Sequence, residues 1–239
     1  MSNEQKGLSG LIRGGLDVSD TGKLNYLETN YSHKKFTNPY DFLLIKYILD
    51  LGKIKSGGSV LDLACGPGSF KSVFEKFNFS YVGVDIDNES EANNIIKCDI
   101  ANQKLPFVDN EFDFIFFKMG IEHLSINEIS RCLSEALRTL KPGGSFVVIT
   151  PDWKWNYNLF YDEYTHQTPF TVSSLTSALK MARYDVKFCE NIIQLPIVWR
   201  YPFIKILSDV AYLLYPMLKR VKFIKYSKER PLLAIAKKP

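Results

Sequence analysis

The stretch Val60-Leu61-Asp62-Leu63-Ala64-Cys65-Gly66-Pro67-Gly68-Ser69-Phe70 decides the fold. Val60 to Leu63 is a short apolar run interrupted by one carboxylate, the pattern of a buried strand. A loop of small residues follows, and Phe70 to Phe77 then has helical period. Gly66 and Gly68 let the backbone approach a ligand closely, and Pro67 stiffens the turn between them. One Gly-x-Gly alone describes an ordinary strand-to-helix turn. The dinucleotide fingerprint needs a further glycine where this chain has Lys71, so a nicotinamide or flavin pyrophosphate site is disfavoured. Asp62, inside the strand, also suits a cationic ligand better than a phosphate.

Outward from that stretch, Tyr81-Val82-Gly83-Val84-Asp85 is a second strand ending in a carboxylate. Ile95-Ile96-Lys97-Cys98 is a third, followed by Asp99. Phe112 to Phe117 is a fourth strand, Ser145 to Ile149 a fifth, Val186 to Ile193 a sixth and Leu232 to Ala236 the last. Asn38-Pro39 opens a helix that runs to about Leu51. Ser125-x-x-Glu128 is a capping box for a helix ending at Leu140, and Thr171 to Arg183 is another helix. Lys141-Pro142-Gly143-Gly144 has the chemistry of a type II turn. Strands alternating with helices predict an α/β fold with a mostly parallel sheet, whose ligands lie beyond the carboxyl ends of the strands. At those ends Asp85 can accept two hydrogen bonds from a ribose diol. Asp99 can accept from an exocyclic amine such as that of adenine. A lone strand-end aspartate is usually a turn former. Three carboxylates in order, around one Gly-x-Gly loop, are hard to attribute to turns alone.

At this point the chain resembles the class I S-adenosylmethionine-dependent methyltransferases, in their small-molecule, glycan and lipid branch. Val60 to Phe70 is similar to their first motif and Val82-Gly83-Val84-Asp85 to their second. Cys98-Asp99-Ile100, Leu105-Pro106-Phe107 and Phe112-Asp113-Phe114-Ile115 match the third and fourth. Leu137-Arg138-Thr139-Leu140-Lys141-Pro142-Gly143-Gly144 matches the turn before the fifth strand. The match runs from about Asp41 to Ile193; one departure is Ala64, where many members have glycine. The resemblance implies a Rossmann-like fold with helices on both faces of a seven-stranded, mostly parallel sheet whose last strand is antiparallel. It implies S-adenosylmethionine as cofactor. Gly66 and Gly68 are expected against its methionine part, Asp62 at its amino group, Asp85 at the ribose, and Asp99 with Ile100 at the adenine. Ala64, Cys65, Ile86 and Lys118 complete the cofactor-binding set expected on this basis.

A sulfonium is already an activated methyl donor, so positioning can lower much of the barrier. A hydroxyl acceptor additionally needs a base. His123, in Gly120-Ile121-Glu122-His123 after the fourth strand, and His166, in Asp162-Glu163-Tyr164-Thr165-His166-Gln167-Thr168-Pro169-Phe170, are the expected catalytic residues. His33 lies in a polar arm and reads as solvated. No metal is expected. Methyltransferases with a hard-cation site carry Glu-x-x-Glu-His here, and this chain has Met119 for the first glutamate. The expected function is methyl transfer to a small-molecule or lipid- or glycan-linked acceptor, at oxygen because two histidines flank the cleft. The alternatives are C- or N-methylation of a quinone-like ring, and a non-catalytic cofactor-binding partner subunit. Trp153, Trp155, Tyr157, Phe160, Tyr161 and Tyr164 form an aromatic wall that could stack on such an acceptor.

With 239 residues, 46% apolar and 23% charged, the chain excludes a wholly disordered protein, a collagen and a disulfide scaffold. A single domain is expected: an arm or cap over 1–37, a cofactor-binding core over 38–194 and 229–239, and an aromatic and basic insert over 195–228. Four separated cysteines exclude a zinc ribbon. They fit a reducing compartment, and a cytoplasmic location is expected. From Pro196 onward ten bases face only Asp209 and Glu229, so the rest of the chain is mildly acidic, unlike a nucleic-acid binder. The insert is dense in Trp, Tyr, Leu and Ile, then basic from Lys219 to Lys228. That pattern suits reversible contact with an anionic membrane surface, at the inner membrane face.

Overall fold

The computed structural model describes residues 38–87, 93–201, 203–213 and 230–239. The arm with His33 and the greater part of the basic stretch after Leu213 lie outside the described residues. Helix α1 (Pro39–Gly52) begins where proline is tolerated, and Asn38 caps it by accepting from the Tyr40 amide at 3.0 Å. Then come β1 (Gly58–Leu63), α2 (Lys71–Lys76), β2 (Phe79–Asp85), β3 (Ile95–Lys97) and β4 (Phe112–Lys118). A single 3-10 turn, Ile121–His123, leads to α3 (Ile126–Thr139), which carries the expected Ser125/Glu128 capping box. β5 (Leu140–Pro151), α4 (Trp153–Asn156), a second 3-10 turn (Phe160–Asp162), α5 (Val172–Met181) and β6 (Asp185–Asn191) follow. The chain ends through α6 (Pro196–Arg200), α7 (Ile204–Leu213) and β7 (Pro231–Lys237).

The seven strands form one sheet in the order β3-β2-β1-β4-β5-β7-β6, and β7 runs antiparallel to both its neighbours. The core lies on both faces, as period-two alternation requires. Ile115 and Phe117 of β4 belong to the cluster that includes Leu133 of α3 and Leu175 of α5. Phe114 and Phe116 belong to the cluster that includes Ile45 of α1 and Phe74 of α2. Strand order reverses between β1 and β4, so the carboxyl ends of β1, β2 and β4 border the crevice where α/β sheets bind ligands.

Two local readings are refined. β5 begins before the expected turn: Leu140 pairs with Phe112, and the register then jumps so that Ser145 pairs with Phe114. Gly143 sits between at φ 74°, the left-handed conformation the type II reading requires, and its amide donates to the Lys238 carbonyl at 2.9 Å. The turn is therefore a bulge inside a longer strand, held by the chain's last residues. β6 starts at Asp185 and ends at Asn191, earlier at both ends than expected, because the antiparallel register with β7 runs from Lys237 back to Leu232.

Candidate active site

The cofactor side of the crevice is built from the ends of β1 and β2. Asp62 is 2% exposed, and the Tyr81 hydroxyl donates to its Oδ2 at 3.0 Å. Burial pushes its carboxyl up to about 7, against the pull of that hydrogen bond and of the Lys118 ammonium. Ala64 follows at φ 51°, a left-handed conformation that costs an L residue roughly 1–2 kcal/mol and that glycine adopts freely. The Cys65 amide donates to the Val84 carbonyl at 3.1 Å, and the Gly66 amide donates to Asp85 Oδ2 at 2.8 Å. Asp85 Oδ1 also accepts from the Asp87 amide at 3.1 Å. A carboxylate has roughly four lone-pair positions, so Asp85 can hold the loop and still accept from a diol. Burial raises its pKa.

Two glycines are required by packing within the protein itself. A Cβ on Gly68, at φ 76°, would lie 2.9 Å from Ile95 Cδ1, and one on Gly83 would lie 2.6 Å from Cys65 Sγ. Ile86, half-buried, follows Asp85 directly. Lys118, at the end of β4, carries its Nζ 5.5 Å over the Phe70 ring. Asp99, like Asp85, is engaged on both oxygens. Its Oδ1 accepts from the Ala101 amide at 3.0 Å and its Oδ2 from Asn102 Nδ2 at 3.1 Å, so it also shapes the turn after β3. Ile100, 9% exposed, packs into the core beneath it.

The acceptor side is built from the turn after β4. Met119 lies at φ 54°, and a Cβ on Gly120 would fall 2.4 Å from Phe117 Cε2 and 3.1 Å from Ala64 Cβ. Glycine at that place lets the turn press against the first loop. The segment after the second 3-10 turn is pinned onto it by backbone. Gln167 N and Thr168 N both donate to the Glu122 carbonyl, at 2.8 and 3.1 Å, and the Thr168 hydroxyl donates to the Leu124 carbonyl at 2.6 Å. Gln167 Nε2 donates to the His123 carbonyl at 2.8 Å. This clamp brings together the two histidines singled out in the sequence, with ring centroids 4.7 Å apart and an interplanar angle of 64°. His166 Nδ1 donates to the Phe160 carbonyl at 2.7 Å. Burial, and His166 beside it, hold the His123 pKa below its ordinary value, so His123 is neutral near pH 7.

Glu122 was not singled out in the sequence, although it stands next to His123. Its side chain is wholly buried; Oε2 accepts from the Thr150 hydroxyl at 3.0 Å, and Oε1 has no hydrogen-bond partner among the described residues. Burial lifts its carboxyl to about 7, tempered by its hydrogen bonds and the Lys118 ammonium. Glu122, His123 and His166 each offer one ligand atom, all within 4.8 Å of one another, so this trio could also receive a cation. In the aromatic wall the rings of Tyr157, Phe160 and Tyr161 lie 6.4, 5.6 and 5.9 Å from that of Trp153; Phe160 is buried, and Tyr157, Tyr161 and Tyr164 are exposed.

Comparison with known proteins agrees with this geometry. A family model described as a methyltransferase domain matches residues 38–186. The UbiE ubiquinone/menaquinone biosynthesis C-methyltransferase of Saccharophagus degradans is 28% identical over 119 residues, covering 44% of this chain and 47% of that protein. The chain thus spans about half the length of the curated relatives it matches first. Among solved structures, a SAM-dependent methyltransferase from Archaeoglobus fulgidus aligns with TM-score 0.57 and 22% identity, covering 82% of this chain and 94% of that one. An S-adenosylmethionine-dependent methyltransferase from Mesorhizobium loti aligns with TM-score 0.60 and 15% identity, covering 85% of this chain and 100% of that one. At these identities the solved structures speak for the fold, and the family match speaks for the chemistry. The chain belongs to the methyltransferase-domain family, as a class I member that depends on S-adenosylmethionine.

Proposed function

We propose that the chain transfers the methyl group to an oxygen of a small-molecule or lipid- or glycan-linked acceptor. The observation that carries this reading is the His123/His166 pair, clamped at 4.7 Å beside the carboxyl end of β4. The residues of the crevice fit the cofactor. The buried Asp62 carboxylate suits its ammonium, and Asp85 suits its ribose diol. Ala64, Cys65 and Gly66 would border the methionine part, Ile86 would pack against the ribose, and Asp99 with Ile100 would meet the adenine. Lys118 moderates the charge of Asp62. When bound, S-adenosylmethionine supplies a methyl group on a sulfonium. The protein's own task is to orient the acceptor and take its proton. An imidazole of the His123/His166 pair can do this, and an acid-base group in position contributes about 10²–10⁴-fold.

A second reading, methylation of a ring carbon in a quinone-like acceptor, draws on the similarity to UbiE, which its name describes as a C-methyltransferase. The two separate cleanly. Purified protein, labelled cofactor and a panel of sugar nucleotides, quinone precursors and lipid extract should yield a labelled methyl ether or ester. Label on a ring carbon would overturn the oxygen reading.

We also propose that the insert touches an anionic membrane surface. No helix among the described residues is long and apolar enough to cross a membrane. On α6, on α7 and in the turn between them, however, Ile197, Phe203, Ile206, Leu207 and Val210 are exposed, Phe203 at 71% and Ile206 at 70%. Such a row is at home at an interface. Lys219, Arg220, Lys222 and Lys225 follow it in sequence, each worth about 1 kcal/mol near an anionic leaflet. The protein should float with anionic liposomes at low salt and a charge-reversal variant of those four residues should not. Equal, negligible flotation of both would refute this contact.

A further inference from the structure

We infer that Tyr81 is a positioning residue of the cofactor site: its hydroxyl reaches through a gap left by Gly83 and holds the Asp62 carboxylate ready for the cofactor's ammonium. β1 and β2 are parallel neighbours, with Tyr81 opposite Val60 and Gly83 opposite Asp62. Tyr81 and Gly83, two residues apart, share a face of the sheet. Beside Asp62, therefore, β2 offers no side chain, and the tip of Tyr81 fills the place. A Cβ on Gly83 would lie 2.9 Å from Tyr81 Oη and 2.6 Å from Cys65 Sγ. The Tyr81 hydroxyl donates to Asp62 Oδ2 at 3.0 Å, and both residues are buried. Burial, with the Asp62 charge beside it, raises the pKa of the phenol, so the hydroxyl keeps its hydrogen.

A hydroxyl that donates to a carboxylate favours the ionised form, and only the ionised form pairs with an ammonium. Burial of Asp62 works the other way. Three further groups face it. Lys118 from β4 also favours the carboxylate, and Asp85 from the end of β2 opposes it. The Cys65 thiol of the first loop is kept protonated, by burial above all. A cation set as close as the Tyr81 hydroxyl would repel the incoming ammonium. A neutral donor favours the carboxylate without that repulsion, and it occupies one of roughly four lone-pair positions. The inference rests on the proposed placement of the ammonium at Asp62.

S-adenosylhomocysteine carries the same ammonium as the cofactor, and 5′-methylthioadenosine lacks it. Calorimetric titration with both, from pH 6 to pH 8, separates positioning from packing. Tyr81→Phe keeps the ring and removes only the hydroxyl. Its affinity for S-adenosylhomocysteine should fall about tenfold at pH 6, because the lost bond makes Asp62 about tenfold harder to ionise. The gap should narrow toward pH 8, and the affinity for 5′-methylthioadenosine should not change. Fluorotyrosine at position 81, a stronger donor of nearly the same shape, should move the fall in affinity to lower pH. In an Asp62→Asn background Tyr81→Phe should no longer alter the pH profile. A wild-type pH profile in Tyr81→Phe, or an equal loss of affinity for both ligands, would overturn the inference. Asp62→Asn alone tells the two failures apart. If it binds S-adenosylhomocysteine as the wild type does, the placement of the ammonium fails. If it loses affinity while Tyr81→Phe keeps the wild-type profile, the placement stands and the role of Tyr81 fails.

Discussion

Replacing Asp85 by alanine is expected to weaken S-adenosylmethionine binding about 100-fold or more. The carboxylate stands at the end of β2, 8% exposed, and is the joint between the first loop and the second strand. It accepts from the Gly66 amide at 2.8 Å and from the Asp87 amide at 3.1 Å. Hydrogen bonds to a charged group are worth about 1.5–3 kcal/mol each, and two lost to a ribose diol give the 100-fold figure at the low end. Alanine also leaves the Gly66 amide without its acceptor, which loosens the loop expected to border the methionine part. Calorimetric titration of the variant gives the affinity, and its unfolding midpoint separates a lost ligand contact from a lost loop. An unchanged affinity would contradict the placement of the ribose at Asp85.

The second large effect concerns stability. Glu122 is wholly buried, with its carboxyl at about 7 in the folded protein against 4.5 as an ordinary glutamate. The folded state therefore holds a proton that the unfolded chain gives up. Stability from this group is fully present below about pH 4.5, is lost as pH rises through about 7, and is absent above it. The loss is about 3 kcal/mol by the magnitude of that shift. Glu122→Gln removes the ionisation while keeping an acceptor for the Thr150 hydroxyl. The variant should have a higher denaturation midpoint than the wild type at pH 8, and the gain should shrink at pH 5. Its amide must sit where Oε1 now has no partner, which costs about 1–3 kcal/mol and keeps the net gain modest. Asp62 has a raised pKa of the same kind, so part of the pH slope should survive in the variant. An identical pH slope in both proteins would show that Glu122 is ionised in the folded state throughout.

Such a buried carboxyl is the kind of feature that a sequence conceals. The strands were legible because β4 alternates, with Phe114 and Phe116 on one face and Ile115 and Phe117 on the other, and because a carboxylate interrupts β1 and another closes β2. Asp62 and Asp85 could be read for the same reason. The histidines were legible as candidates only. What brings His166 to His123 is a pair of backbone amides, Gln167 N and Thr168 N, donating to one carbonyl, and amide bonds leave no mark in residue type. Asp99 was legible as a strand-end carboxylate, but not that its oxygens would also hold the Ala101 amide and Asn102 in its own turn. In the insert, composition foretold exposed apolar side chains, but not that Trp199 would turn inward to stack on Tyr47 at 4.9 Å.

If the buried Asp62 receives the cofactor's ammonium, as proposed, binding must depend on the protonation of its carboxyl. Calorimetric titration of the wild-type protein with S-adenosylmethionine at pH 7 and at pH 5.5 tests it most directly. With its carboxyl at about 7, Asp62 must surrender a proton before it can pair with a cation. Binding should be one-to-one, roughly tenfold weaker at the lower pH, and accompanied by proton release that varies with the ionisation heat of the buffer. Failure to bind, or an affinity independent of pH with no proton released, would contradict the account.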